Sequence, residues 1–215
     1  MPVYSLFGSH PHPTPQHQEN PVTISLEKNK PISLTKADPG IKRAVVGLGW
    51  KPRATSGAEF DLDASAIVLR NDGSKHTLRD FVFYGNQSHS SGAINHQGDN
   101  RTGNGDGDDE QILIDLAKLP ENIARIVFIV SINDAEKRNQ RFGLVDDAYF
   151  RIVNVDTKEE AVKFDLREDA AAEHTIAIGE LYKDNGAWQV VGRAQGLQDG
   201  LAGALTHYGV DPSDV

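Results

Sequence analysis

Phe60-Asp61-Leu62-Asp63-Ala64-Ser65-Ala66-Ile67-Val68-Leu69 decides the fold. Polar and apolar residues alternate through its first half, and apolar residues fill its second, so it reads as a strand entering a core. Asn71-Asp72-Gly73 is turn chemistry, and Phe81-Val82-Phe83-Tyr84 follows as a further strand. Working outward, Val22 to Leu26, Ile32 to Thr35 and Ala44 to Trp50 read as strands on the N-terminal side. On the C-terminal side come Ile112 to Leu116, Ile126 to Ile132, Tyr149 to Val155, Val162 to Leu166 and Thr175 to Ile178. A last hairpin pairs Glu180 to Tyr182 with Trp188 to Val191 across a turn at Lys183 to Gly186. Many short strands separated by turn signals predict a mostly β protein, an antiparallel β-sandwich with a few short helices. The helical candidates are Asp134 to Arg141 and Gln198 to Tyr208, the latter stopped by Gly209.

The 215 residues suit one well-cored domain. Residues 22–215 are expected to form it. Residues 1–21 hold five of the ten prolines and three histidines, and read as a flexible or extended arm. A histidine-rich metal tract is the rival reading of that arm, but the prolines hinder three imidazoles from converging. No apolar run approaches the roughly 20 residues of a membrane-spanning helix, and the first residues lack the basic-then-apolar pattern of a secretion signal. Cysteine is absent, which removes disulfides, thiolate metal sites and cysteine nucleophiles, and agrees with a cytoplasmic protein. A net charge of −9, without a basic cluster, argues against nucleic acid and favours cations.

The acid is concentrated in Gly98-Asp99-Asn100-Arg101-Thr102-Gly103-Asn104-Gly105-Asp106-Gly107-Asp108-Asp109-Glu110. Five carboxylates and two asparagines stand there against one arginine, Arg101, which reads as a counter-charge ordering the loop. Two ionised carboxylates about 5 Å apart repel by roughly 3 kcal/mol at an effective dielectric near 20. Such a loop calls for a cation or for full solvation. Its glycines let the backbone turn carbonyls inward, and oxygen ligands without histidine or cysteine suit a hard cation, calcium before magnesium. It is not an EF-hand loop, because glycine is missing at the sharp turn: Asn104 stands there. Asp61 and Asp63 share one strand face and could complete the site.

Val46-Gly47-Leu48-Gly49-Trp50, Phe60 to Ser65, Phe81 to Tyr84, the Gly98–Glu110 loop, Arg141-Phe142-Gly143, Asp165-Leu166, Gly179 to Tyr182 and Gly200-Leu201-Ala202 together resemble the TerD family. The blocks keep their order from about residue 22 to residue 210. The resemblance implies a β-sandwich that binds calcium through Asp61, Asp63, Asp99, Asn100, Asp106, Asp108, Asp109 and Glu110. It implies a non-enzymatic, cytoplasmic role in resistance to tellurite and other stresses, alongside other Ter-type proteins at the inner membrane face. The chain departs from the family pattern in its Pro/His arm and in Gln195-Gly196-Leu197, where relatives carry Gly-Gln-Gly-Tyr. The alternative is a hydrolase in which Asp61, Asp63 and Asp109 hold magnesium and activate water against a phosphate ester. Against it, the chain lacks both a phosphate-cradling GxxxxGK[ST] loop and a GxSxG elbow, and outside the arm its histidines are scattered singly.

Overall fold

The computed structural model describes residues 23–52, 60–98, 107–166 and 170–212. The expected arm, and Asp99, Asn100 and Asp106 of the expected site, lie outside these residues.

Among the described residues, twelve strands form two six-stranded sheets. In chain order they are β1 (Ile24–Ser25), β2 (Ile32–Ser33), β3 (Arg43–Pro52), β4 (Leu62–Arg70), β5 (Phe81–Val82) and β6 (Ile94–His96). β7 (Glu110–Asp115), β8 (Ile123–Ile132), β9 (Val145–Asn154), β10 (Glu160–Asp165), β11 (Thr175–Asp184) and β12 (Ala187–Gly196) follow. Sheet A runs β1-β10-β9-β3-β7-β6 and sheet B runs β2-β12-β11-β8-β4-β5. All pairings are antiparallel except β1 with β10. The expected sandwich is the architecture found.

Alternation explains sheet A. Val46, Leu48 and Trp50 of β3 face inward with Phe150 and Ile152 of β9, while Gly47 and Gly49 face out. Leu62, Ala64 and Ala66 of β4 meet them from sheet B. β8 differs: every residue from Ile126 to Ile132 is buried. A strand covered on both faces carries a continuous apolar run rather than an alternating one. The second cover is α3 (Gly200–His207), whose Ala204 and Leu205 pack with Ile67, Val127 and Ile129 on the outer face of sheet B. Fully burying a side chain such as Leu205, Ile67 or Val127 is worth about 1.5–3 kcal/mol.

Among the described residues the remaining α-helices are one-turn pieces, α1 (Leu34–Ala37) and α2 (Ala135–Arg138), beside two 3-10 turns at Leu78–Asp80 and Phe142–Leu144. α1 replaces the second half of the expected Ile32–Thr35 strand, because the Ser33 hydroxyl accepts from Lys36 N and caps a turn that buries Leu34. The expected breaks around Gly179 close up: Thr175 to Asp184 is one strand, with a register shift between Ala177 and Gly179. The hairpin from β11 to β12 turns on Asn185 and Gly186, both at positive φ. No helix among the described residues is long and apolar enough to cross a membrane.

Candidate functional site

The C-terminal end of the acidic loop, residues 107–110, is held by three different devices on three consecutive carboxylates.

Asp108 lies over the outer face of sheet A. Its Oδ1 accepts from Arg151 Nε at 2.7 Å and lies 3.0 Å from the Tyr149 hydroxyl, and its Oδ2 accepts from Gln111 Nε2 at 3.0 Å. The Tyr149 hydroxyl is also 2.8 Å from Gly107 O, so its single proton is shared between the two acceptors. The Asp108 side chain is 1% exposed. Arg151 reaches on to Glu160 at 3.0 Å, and its pKa is raised first by its hydrogen bond to Asp108. Burial, then the Asp108 charge, pushes the Tyr149 phenol up as well. The carboxylate fits because Gly47 beneath it has no side chain: a Cβ there would stand 2.2 Å from Asp108 Oδ2. Gly49 in turn makes room for the Tyr149 ring.

Asp109 sits at the end of the sandwich. Its N–H donates to Leu48 O, and its Oδ2 accepts from Trp50 N at 2.9 Å. Pairing of β3 with β9 shifts register between Gly49 and Lys51, at Trp50. Burial raises the Asp109 pKa, and the Asp108 charge adds to the rise, against the lowering effect of the Trp50 bond. A charged Asp109 therefore costs the folded state something that a nearby cation would offset.

Glu110 turns between the sheets. It opens β7 opposite Leu48, and its Oε2 accepts from Ala64 N at 2.5 Å. β5 pairs with β4 only at Ala66 and Ile67, so Ala64 stands beyond the neighbouring strand's reach. Its N–H is taken by Glu110 and its C=O by His96 Nε2 at 3.2 Å, two side chains from the opposite sheet. His96 Nδ1 accepts from Gly98 N, which assigns the ring proton to Nε2. Nε2 is also 3.5 Å from Glu110 Oε2.

Asp61 and Asp63 do not join these three. Asp61 is buried, with Oδ2 accepting from Asn133 Nδ2 at 3.0 Å and its carbonyl accepting from Asn133 N. Asp63 lies opposite Ser131 on the outer face of sheet B, across the sandwich from Asp108. Among the described residues no three Asp, Glu or His side chains gather closely enough to hold a metal ion. The donor chemistry at this end nonetheless fits a hard cation: Asp109 and Glu110 offer carboxylate oxygens, and both nitrogens of His96 are turned to protein partners.

Sequence reasoning missed Arg151, Tyr149 and His96. A signal for the first two was present in Gly47 and Gly49: two glycines spaced by two on a core strand leave one face bare for something to lie on. Nothing in the sequence marks His96.

Comparisons with known proteins agree with this architecture. The TerD domain model matches residues 22–208. The tellurium resistance protein TerD of Serratia marcescens is 45% identical over 192 residues, covering 89% of this chain and all of that protein. General stress protein 16U of Bacillus subtilis is 44% identical over 190 residues, covering 88% of this chain and 98% of its own. A crystal structure of a Streptomyces coelicolor homologue of the telluride resistance protein superimposes with a TM-score of 0.65 at 23% identity, over 80% of this chain and 100% of that one. The fold and the breadth of these matches lead to one conclusion: the chain belongs to the TerD family of tellurium-resistance and stress-response proteins.

Proposed function

We propose that this protein binds calcium through the Gly98–Glu110 loop and works as a non-enzymatic, cytoplasmic stress-response module that docks other Ter-type proteins. The carrying observation is that residues 107–110 are pinned by protein contacts through Arg151, Trp50 and Ala64. The carboxylates are therefore not free to disperse into solvent, and a divalent cation is the simplest relief of their repulsion. Asp109 and Glu110 would hold it with Asp99, Asn100 and Asp106 of the loop. Asp108, already bound to Arg151, orients the loop instead. When bound, calcium supplies charge neutralisation and order; Trp50 N and Ala64 N keep the Asp109 and Glu110 carboxylates oriented for it.

Calorimetric titration of chelator-stripped protein tests the reading, with calcium and magnesium compared. Saturable heat for calcium and a much weaker response to magnesium are expected. Equal responses, with turnover of a phosphate ester in magnesium, would move the assignment to the hydrolase. No heat from either ion would leave a solvated loop.

A further inference from the structure

A recess of about 560 Å³ opens on the outer face of sheet B between α2, the start of α3 and the Phe83–Tyr84 segment. Its floor is a row across three strands: Asp63 on β4, Ser131 on β8 and Thr175 on β11, each opposite the next. Two residues further along, the same face becomes the apolar layer beneath α3. Ser65 stands where the face changes. It is 2% exposed, it lines the recess, and its hydroxyl has no hydrogen-bond partner among the described residues. A buried hydroxyl left unpaired costs about 1–3 kcal/mol, so its presence there points to a group that reaches it when the recess is filled.

The walls define that group's charge. Among the described lining residues, Asp63, Asp134, Glu136 and Asp199 stand with one lysine, Lys137, and with His174, four carboxylates against one fixed positive charge. Asp134 lies 3.6 Å from Lys137 Nζ and 3.8 Å from Arg138 Nη2, but these are exposed pairs within one helical turn and hold little. The start of α3 would by itself attract an anion; Asp199 already stands at that end with negative charge. The rim defines the group's chemistry. Phe83 stacks on Phe81 at 4.7 Å and meets Tyr84 edge-on at 5.2 Å, and Tyr84 is 52% exposed. Aromatic faces beside carboxylates attract an organic cation through the ring quadrupole and the charge together.

We infer that this recess binds an organic cation, an alkylammonium or guanidinium group, carried by a free polyamine or by a basic side chain of a partner protein. The site stands apart from the calcium reading and is tested apart from it. Full-length, calcium-saturated protein is titrated with spermidine or with a blocked Gly-Arg-Gly peptide and followed by amide NMR. Saturable shifts confined to residues around Ser65, Tyr84, Asp134 and Gly200 are expected. Tighter binding of spermidine assigns the site to a small molecule, and tighter binding of the peptide assigns it to a partner segment. The double variant Tyr84→Ala/Asp199→Asn alters exposed positions and should fold normally, weaken binding at least about tenfold and leave the heat of calcium binding unchanged. Ser65→Ala should weaken binding while raising the melting temperature of the ligand-free protein. Shifts scattered over the acidic surface, no saturable shift, affinity untouched by the double variant, or a Ser65→Ala variant that melts lower would each overturn the proposal.

Discussion

A methyl group on Gly47 would stand 2.2 Å from Asp108 Oδ2, and the only relief is to push the carboxylate off Arg151, Tyr149 and Gln111. Gly47→Ala and Arg151→Ala should therefore behave alike. The first evicts the buried charge from its partners, and the second leaves it in place without its cation. Each is expected to cost about 3 kcal/mol, the scale of breaking a buried ion pair from one side. Chemical denaturation of the two variants and their combination checks it: the double variant should cost little more than either alone, because both remove the same contact. A second residue-scale test concerns His89, whose Nε2 lies 3.5 Å from Asp80 Oδ1, with Arg70 on the other side of that carboxylate at 2.8 Å. Burial lowers the His89 pKa, against the opposing pull of Asp80. Below the ordinary histidine value of about 6.5, the unfolded chain thus binds more protons than the folded one. The stability is present above that pH and is lost as pH falls through it. Melting temperature should drop from pH 7.5 to 5.5, and His89→Gln should shrink the drop.

At the scale of elements, α3 closes a face that sheet B would otherwise leave apolar and wet. Leu205→Ala, in the middle of that layer, should cost about 2–5 kcal/mol through lost burial and the cavity left behind. Denaturant unfolding measures it, and a change under 1 kcal/mol would mean that the helix lifts and settles freely. The strands that alternation or continuous apolar runs marked, β3, β4, β7, β8 and β9, were legible because each buries enough side chains to declare a face. α3 was legible from Gly209, which takes φ 76° just past its end. What the sequence hid has physical causes too. β6 has three residues and exists because β7 offers it a ladder, a fact located elsewhere in the chain. Gly179 read as a break, yet the strand passes through it: a Cβ there would come within 3.1 Å of the Phe150 ring, so glycine marks a close approach. In the site, local composition announced the acidic loop, but its anchor Arg151 is 43 residues from Asp108. Spacing along the chain cannot reveal a contact made across β3 when β7 and β9 take their places in one sheet.

For the whole molecule, the proposed binding of calcium by the loop would make folding and cation binding one equilibrium. A ligand that binds the native state alone stabilises it by about 2.7 kcal/mol at a hundredfold excess over its dissociation constant. Calcium should raise the melting temperature by several degrees, chelator should reverse this, and magnesium should do much less. Asp109→Ala should shrink the calcium response, while its ion-free form is expected to be no less stable than the ion-free parent. Burial already works against the Asp109 charge, and the substitution removes that cost. The sandwich has another property of the same scale. Both sheets end in strands of two or three residues: β1 and β6 on one, β2 and β5 on the other. An incoming chain finds too few open backbone groups along those margins to extend either sheet. Among the described residues, growth into fibres by strand addition is thereby disfavoured, and association is left to the faces of the sandwich.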